Sequence, residues 1–251
     1  MPRASIKALI LIVFVLPGIK PVGAACEDEA RPSVNWANCD LTGVNLAHKD
    51  LTDAVLTEAK LDNAVFSDAI LENADFNFAS LKKADFDGAR MSGARLVAVK
   101  AEGASFRKAT LDNSHFSRAV LNSADFSGAR AANVNFYQAK LGSVIFTGAR
   151  LNKANFEGTD MSRANLDASD LSQAIFRGAR LHDASFKKAN MMKSVLDESD
   201  CLNADFSGAD LTKASFREAE IEESVYTDAV LSDTVWSNYK RCRSSSIGTC
   251  E

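Results

Sequence analysis

Apolar residues return at every fifth position through most of this chain. In the stretch LNSADFSGAR, residues 121–130, Leu121 and Phe126 stand five apart, and so do Ala124 and Ala129. A helix repeats its apolar face every 3.6 residues and a strand every second residue, so a spacing of five belongs to neither. From Trp36 to Trp236 every fifth residue, 41 positions in all, is Leu, Phe, Met, Ile, Trp or Tyr, except Ala101, Ala131 and Cys201. Two residues ahead of each stands a small side chain. This second column, Val34 to Thr234, holds 27 Ala, and the rest are Val, Ser, Thr or Cys apart from Lys49. No insertion or deletion shifts the frame.

Five residues cannot enclose their own apolar side chain, so only the stacking of many copies yields a core. The pattern predicts a winding chain with the large residue (position i) and the small one (i−2) facing inward, and i−1, i+1 and i+2 facing outward. Each pentapeptide is then one short strand-plus-turn side of a prism. Asp, Asn, Ser and Gly crowd the outward positions, as turns require.

The motif A-(D/N)-(L/F)-x-x, seen at Ala74-Asp75-Phe76, Ala124-Asp125-Phe126, Ala154-Asn155-Phe156 and Ala204-Asp205-Phe206, resembles that of the pentapeptide-repeat proteins. The resemblance implies an all-β fold, a right-handed quadrilateral β-helix with twenty residues per coil and about ten coils over residues 34–236. A second periodicity agrees with four sides. Thirteen of the fifteen Phe, all but Phe14 and Phe78, fall at positions ending in 6, whereas column Leu falls mostly at positions ending in 1. With four sides, this places Phe on two opposite faces and Leu on the other two, so rings are expected to stack in ladders from coil to coil. Ala101 and Ala131 leave room where a Leu would fit, and looseness or ladder repacking is expected there.

The first 25 residues read differently. Arg3 and Lys7 precede an apolar run from Ala8 to Leu16, Pro17-Gly18 ends it, and Gly23-Ala24-Ala25 offers a small-residue cleavage site, the layout of a signal peptide. The expected location is therefore outside the cytoplasm, periplasmic or extracellular, with the membrane met only through this leader or through a lipid on Cys26. Removing residues 1–25 takes away Arg3, Lys7 and Lys20 and no acid, so 29 basic groups fall to 26 against 33 acidic, net −7.

Stacked coils expose apolar cross-sections at both ends, and open β ends invite aggregation, so caps are expected. Residues 26–33 form a cap segment in front and residues 237–251 a tail with a disulfide loop behind. Disulfides persist outside the cytoplasm, and Cys26–Cys39 and Cys242–Cys250 are the expected pairs, although five cysteines permit other pairings. Cys201, in the large inward column, reads as a buried free thiol.

Chemistry is sparse. His48, His115 and His182 lie at outward or flanking positions of different repeats, no Cys-x-x-Cys or paired-His spacing suggests a metal, and no nucleophile elbow, phosphate loop or dinucleotide fingerprint is present. Neither catalysis nor a cofactor is expected. Charge says more. Residues 27–75 carry 3 basic and 11 acidic groups, residues 82–153 carry 12 and 5, and residues 197–233 carry 2 and 11, so the rod is negative, positive, negative. Arg90, Arg130 and Arg150, with Thr110 between, share one side, and Lys60, Lys100, Lys140 and Arg180 recur on the opposite side. Arg90, Arg130, Arg150, Lys100 and Lys140 are candidates for binding an anionic partner. The composite expectation is a structural or protein-interaction scaffold, with self-association left open and no nucleic acid as ligand. The alternative implied by the family is a DNA mimic that acts on gyrase; a leader and a positive middle both weigh against it.

Overall fold

The computed structural model describes residues 26–251, and the leader reading falls on residues 1–25, outside them. From Asn35 onward each outward residue i−1 pairs in parallel with the residue twenty positions later, in an unbroken series that ends at Ser215↔Val235. A register of twenty on a repeat of five gives four sides to every coil.

One repeat shows why the sequence takes this shape. The carbonyl of Phe126 accepts from the N–H of Ala129 at 3.0 Å, closing a four-residue turn. Within it Gly128 has φ +66°, the left-handed value that a type II turn needs at its third residue. The same position is left-handed throughout the coils, at Asn73, Asn113, Lys153 and Asn203 among others. Three N–H groups then tie coil to coil. Phe126 donates to Ile145 (2.7 Å), Gly128 to Thr147 (3.0 Å), and Asp125 back to Ala104 (3.0 Å).

That leaves the N–H of position i+1 without a backbone acceptor, and the motif's Asp or Asn supplies one. Asp125 Oδ1 accepts from the Ser127 N–H at 2.8 Å, and Asn155 and Asn165 do the same for Glu157 and Asp167. Where i+1 is itself acidic, its carboxylate reaches the next coil: Asp112 accepts from the Ala132 N–H and Asp62 from the Lys82 N–H, both at 2.9 Å. Buried or half-buried N–H groups left unpaired are costly, so these acceptors are part of the fold.

The expected short strand is reduced to a single bridging residue per side, and no longer strand forms among the described residues. The turn explains this: residues i to i+3 are committed to it, and of every five only i−1 remains to pair.

Inside, the columns are buried as the period requires, with Phe66, Phe86, Phe106, Phe126 and Phe146 fully enclosed. Their rings stack with centroids 4.8, 4.9, 4.6 and 4.9 Å apart. A second ladder runs Phe116, Phe136, Phe156, Phe176, and the two meet edge to face, as at Phe106–Phe116 (5.7 Å, 87°). Each buried ring contributes about 1.5–3 kcal/mol. Most stacked rings are within 8° of parallel, but Phe116–Phe136 and Phe126–Phe146 open to 28°. Both pairs flank Ala131, where the repacking expected of a missing Leu occurs. Around Ala101 the rings stay flat, with Phe86–Phe106 at 1°.

Both ends are closed by cysteine pairs, Cys26–Cys39 with Cα atoms 5.5 Å apart and Cys242–Cys250 at 4.8 Å. At the rear the tail turns back antiparallel onto the last coil, with Val235↔Arg241 and Val230↔Ile247. Leu231 N donates to Ser246 O and Gly248 N to Ala229 O, both at 2.9 Å, so the tail supplies partners for a coil that has no successor.

Candidate functional site

Among the described residues the interior is mostly apolar. Cys201 is buried, and burial pushes its thiol up to about 12, opposed only by a hydrogen bond with Ser199. It is held as a neutral thiol. Burial likewise raises the Tyr226 phenol, whose oxygen has no hydrogen-bond partner among the described residues. Among the described residues no cluster of three or more His, Cys, Asp or Glu is arranged to hold a metal ion. Two shallow hollows lie on the corners, one of about 400 Å³ between Asp68, Asp87 and Arg107 and one of about 430 Å³ between Asn122, Asp160 and Arg163. Both are open to solvent, and neither encloses a ligand.

The surface is where the side chains differ from repeat to repeat. Bridging places Arg90, Thr110, Arg130 and Arg150 in one row on consecutive coils, and Ser80, Lys100, Val120 and Lys140 in the row of the opposite side. The two rows are not equivalent. Arg90 is paired with Glu72 at 2.5 Å and Arg130 with Asp112 at 2.9 Å, so two of the three guanidinium groups already donate to carboxylates. Arg107, on the corner beside that row, is bonded to Asp87. Partial burial alone would raise the Asp87 carboxyl, but Arg107 and Ser105 outweigh it and hold it below the usual value. Of the three in the row, Arg150 has no ion pair among the described residues.

On the opposite side Lys100 and Lys140 have no acidic partner among the described residues, whereas the outer members of their row do: Lys60 pairs with Asp40 (3.4 Å) and Arg180 with Asp160 (3.0 Å). The corners flanking Lys100 and Lys140 add Lys82, Lys83 and Arg118, exposed and without ion pairs among the described residues, against Glu102 and, on the coil after Lys140, Glu157 and the Asp160 that pairs with Arg180. The same flank carries Phe78, 62% exposed at φ +63°, followed on the next coil by Val97 and Ala98. Reading by net charge per segment missed this difference, because a segment sum does not show which side chains 18 or 20 residues apart reach one another. Phe78 did give a signal, as the one Phe after the leader that stands outside the inward column.

The geometry defines a solenoid of four-sided coils whose every side is a pentapeptide. Comparison with known proteins gives the same assignment: the pentapeptide repeat region model matches residues 32–106 and 99–176, and the model of pentapeptide repeats in eight copies matches 159–197 and 189–225. The chain belongs to the pentapeptide repeat family. Among curated protein sequences none matches it. Solved structures similar to it include HetL, a pentapeptide repeat protein involved in heterocyst differentiation regulation from the cyanobacterium Nostoc sp. strain PCC 7120. That match has 27% identity over 84% of this chain and 92% of HetL, with a TM-score of 0.47. QnrB1, a plasmid-mediated fluoroquinolone resistance protein, is 18% identical over 61% of this chain and 77% of its own, with a TM-score of 0.42. A pentapeptide repeat protein from the Arabidopsis thaliana thylakoid lumen is 28% identical over 39% of this chain and 65% of its own, with a TM-score of 0.31.

Proposed function

We propose that this protein is an exported, non-enzymatic scaffold: a right-handed rod of about ten coils, on the order of 50 Å long at about 4.8 Å per coil, that docks an anionic partner on its central coils. The observation that carries the reading is the zoning of charge on a frame that does not vary. The bridging register runs without a break from Asn35 to Val235, while the largest basic excess, 12 groups against 5, falls in residues 82–153, between the acidic segments 27–75 and 197–233. A rigid frame with variable outward positions suits display, and rows of cations attract anions from several ångströms away. Export rests on the leader of residues 1–25 and is supported by the two cysteine pairs that close the ends.

Crosslinking and affinity capture from intact cells tests this directly. The native protein is expected to bring down a salt-sensitive partner. A variant with Arg90, Arg130, Arg150, Lys100 and Lys140 all changed to Glu is expected to lose it without losing thermal stability. Capture that survives all five changes removes the basic zone from the function. Inhibition of DNA gyrase by the purified protein would put the DNA-mimic reading in place of this one.

A further inference from the structure

The central basic zone presents two faces, and they are unequal as receptors. We propose that the working face is the one bearing Lys100 and Lys140, and that its ligand is an acidic polysaccharide, a chain of uronate-bearing sugars. This rests on the reading above that the central coils dock an anion, and it names the face and the chemistry.

Three observations carry it. First, the cations of this face are free. Lys82, Lys83, Lys100, Arg118 and Lys140 have no ion pairs among the described residues, whereas Arg90, Arg107 and Arg130 on the other side are each bonded to a carboxylate. An ammonium without an ion pair can take a new carboxylate without first giving one up. Second, the charge recurs at every second coil. Lys100 and Lys140 share one bridged row with Val120 between them, so at the 4.8 Å ring spacing they stand about 9.6 Å apart. That is close to the length of one disaccharide in an extended glycan.

Third, Phe78 is hard to explain by folding. It occupies a left-handed backbone position, which a bulky side chain adopts at a cost, and its ring is 62% exposed. It sits on the corner before Ser80, one coil from Lys100 and next to Val97 and Ala98, with Tyr137 three coils further along the same corner. A pyranose ring has an apolar C–H face and a polar edge. An exposed aromatic beside a line of lysines offers a surface to each.

The test measures binding of fluorescently labelled oligogalacturonate to the full protein by anisotropy across a salt series, with methyl-esterified oligogalacturonate as the neutral control. Phosphatidylglycerol vesicles and a single-stranded oligodeoxythymidine serve as other polyanions. Expected are salt-sensitive binding of the uronate chain and little of its ester. Lys100→Glu with Lys140→Glu should weaken binding about tenfold. Phe78→Asn should weaken it several-fold while leaving melting unchanged or raised, since Asn is at ease in the left-handed region. Arg90→Glu with Arg130→Glu should have little effect. Wild-type affinity in the Lys100/Lys140 variant, equal binding of the ester, or dependence on Arg90 and Arg130 instead would overturn the proposal. Binding of vesicles or oligonucleotide through Lys100 and Lys140, with none of the uronate chain, would overturn the polysaccharide but leave the docking reading standing. Failure of all three polyanions would remove both.

Discussion

Phe126 shows how much one inward position holds. Its ring stacks on Phe106 at 4.6 Å and Phe146 at 4.9 Å, and meets Phe116 and Phe136 edge to face at 5.9 and 5.7 Å. Phe126→Asp would place an unpaired charge among them, and the expected loss exceeds about 4 kcal/mol, enough to unfold several coils. The matching outward control is Ser123→Asp, at an exposed left-handed site, expected to lie within about 0.5 kcal/mol of wild type by chemical denaturation. Ser127, although also outward, is a poor control because its N–H and hydroxyl both bond Asp125, and a carboxylate there would oppose another. Equal midpoints for Phe126→Asp and Ser123→Asp would refute the column assignment. Beside Ala131 the stacked pairs Phe116–Phe136 and Phe126–Phe146 open to 28°, as a ladder repacked around the missing Leu would. Ala131→Leu should therefore cost about 1–3 kcal/mol through overpacking, and a raised melting temperature would show that the tilt has another origin. The ladders were legible from the spacing of Phe together with the four sides that the family resemblance implied. The capping of the i+1 N–H by Asp and Asn was not, because a turn-favouring residue and a specific acceptor look the same in sequence.

At the scale of the element, the turn and the cap carry separate consequences. The turn carboxylates Asp40 and Asp50 are held below their ordinary value of 3.8, chiefly by the hydroxyl and N–H of Thr42 and Thr52. In Asp160 and Asp205 partial burial works the other way, but Ser162 and Ser207, with Arg180 and Lys187, outweigh it. A carboxyl lowered by folding stabilises the native state above its unfolded value, and that stability is lost as pH falls through the folded value. Urea midpoints should thus be flat above about pH 5 and fall progressively below about pH 4; a rise in stability on acidification would contradict the turn assignment. The rear cap depends on Cys242–Cys250, which closes a separation of 8 residues. Cys242→Ser with Cys250→Ser should cost about 2–3 kcal/mol in the chain-entropy picture. In hydrogen exchange the amides of Leu231 and Gly248 should open while those of Phe126 and Gly128 stay protected. The need for a cap followed from the sequence, and both cysteine pairs were expected there, although it left other pairings open. The fold-back of the tail did not, since residues 237–251 leave the five-residue period and their partners, at 229–235, are set by three-dimensional proximity.

The whole molecule separates two jobs that most folds mix. Inward columns define a frame with almost no variation, and outward positions vary without disturbing it, so surface chemistry is written on a scaffold of fixed spacing. That division explains why family and architecture were readable in the chain while the docking face was not. The inward residues obey one rule repeated 41 times. Which cations are free depends on pairs such as Arg90–Glu72 and Arg130–Asp112, set by how one coil lies on the next. Everything therefore rests on a register of twenty. Its most direct measurement is cysteine crosslinking on the outward positions Asn135 and Asn155, which bridge one another on adjacent coils. With Asn135→Cys and Asn155→Cys together, mild oxidation should join the two peptides in high yield, as neighbouring parallel positions lie within disulfide reach. Asn135→Cys with Asn165→Cys, thirty residues apart and so on opposite faces, should stay reduced within the monomer. Efficient joining of the second pair, or none of the first, would contradict the four-sided coil.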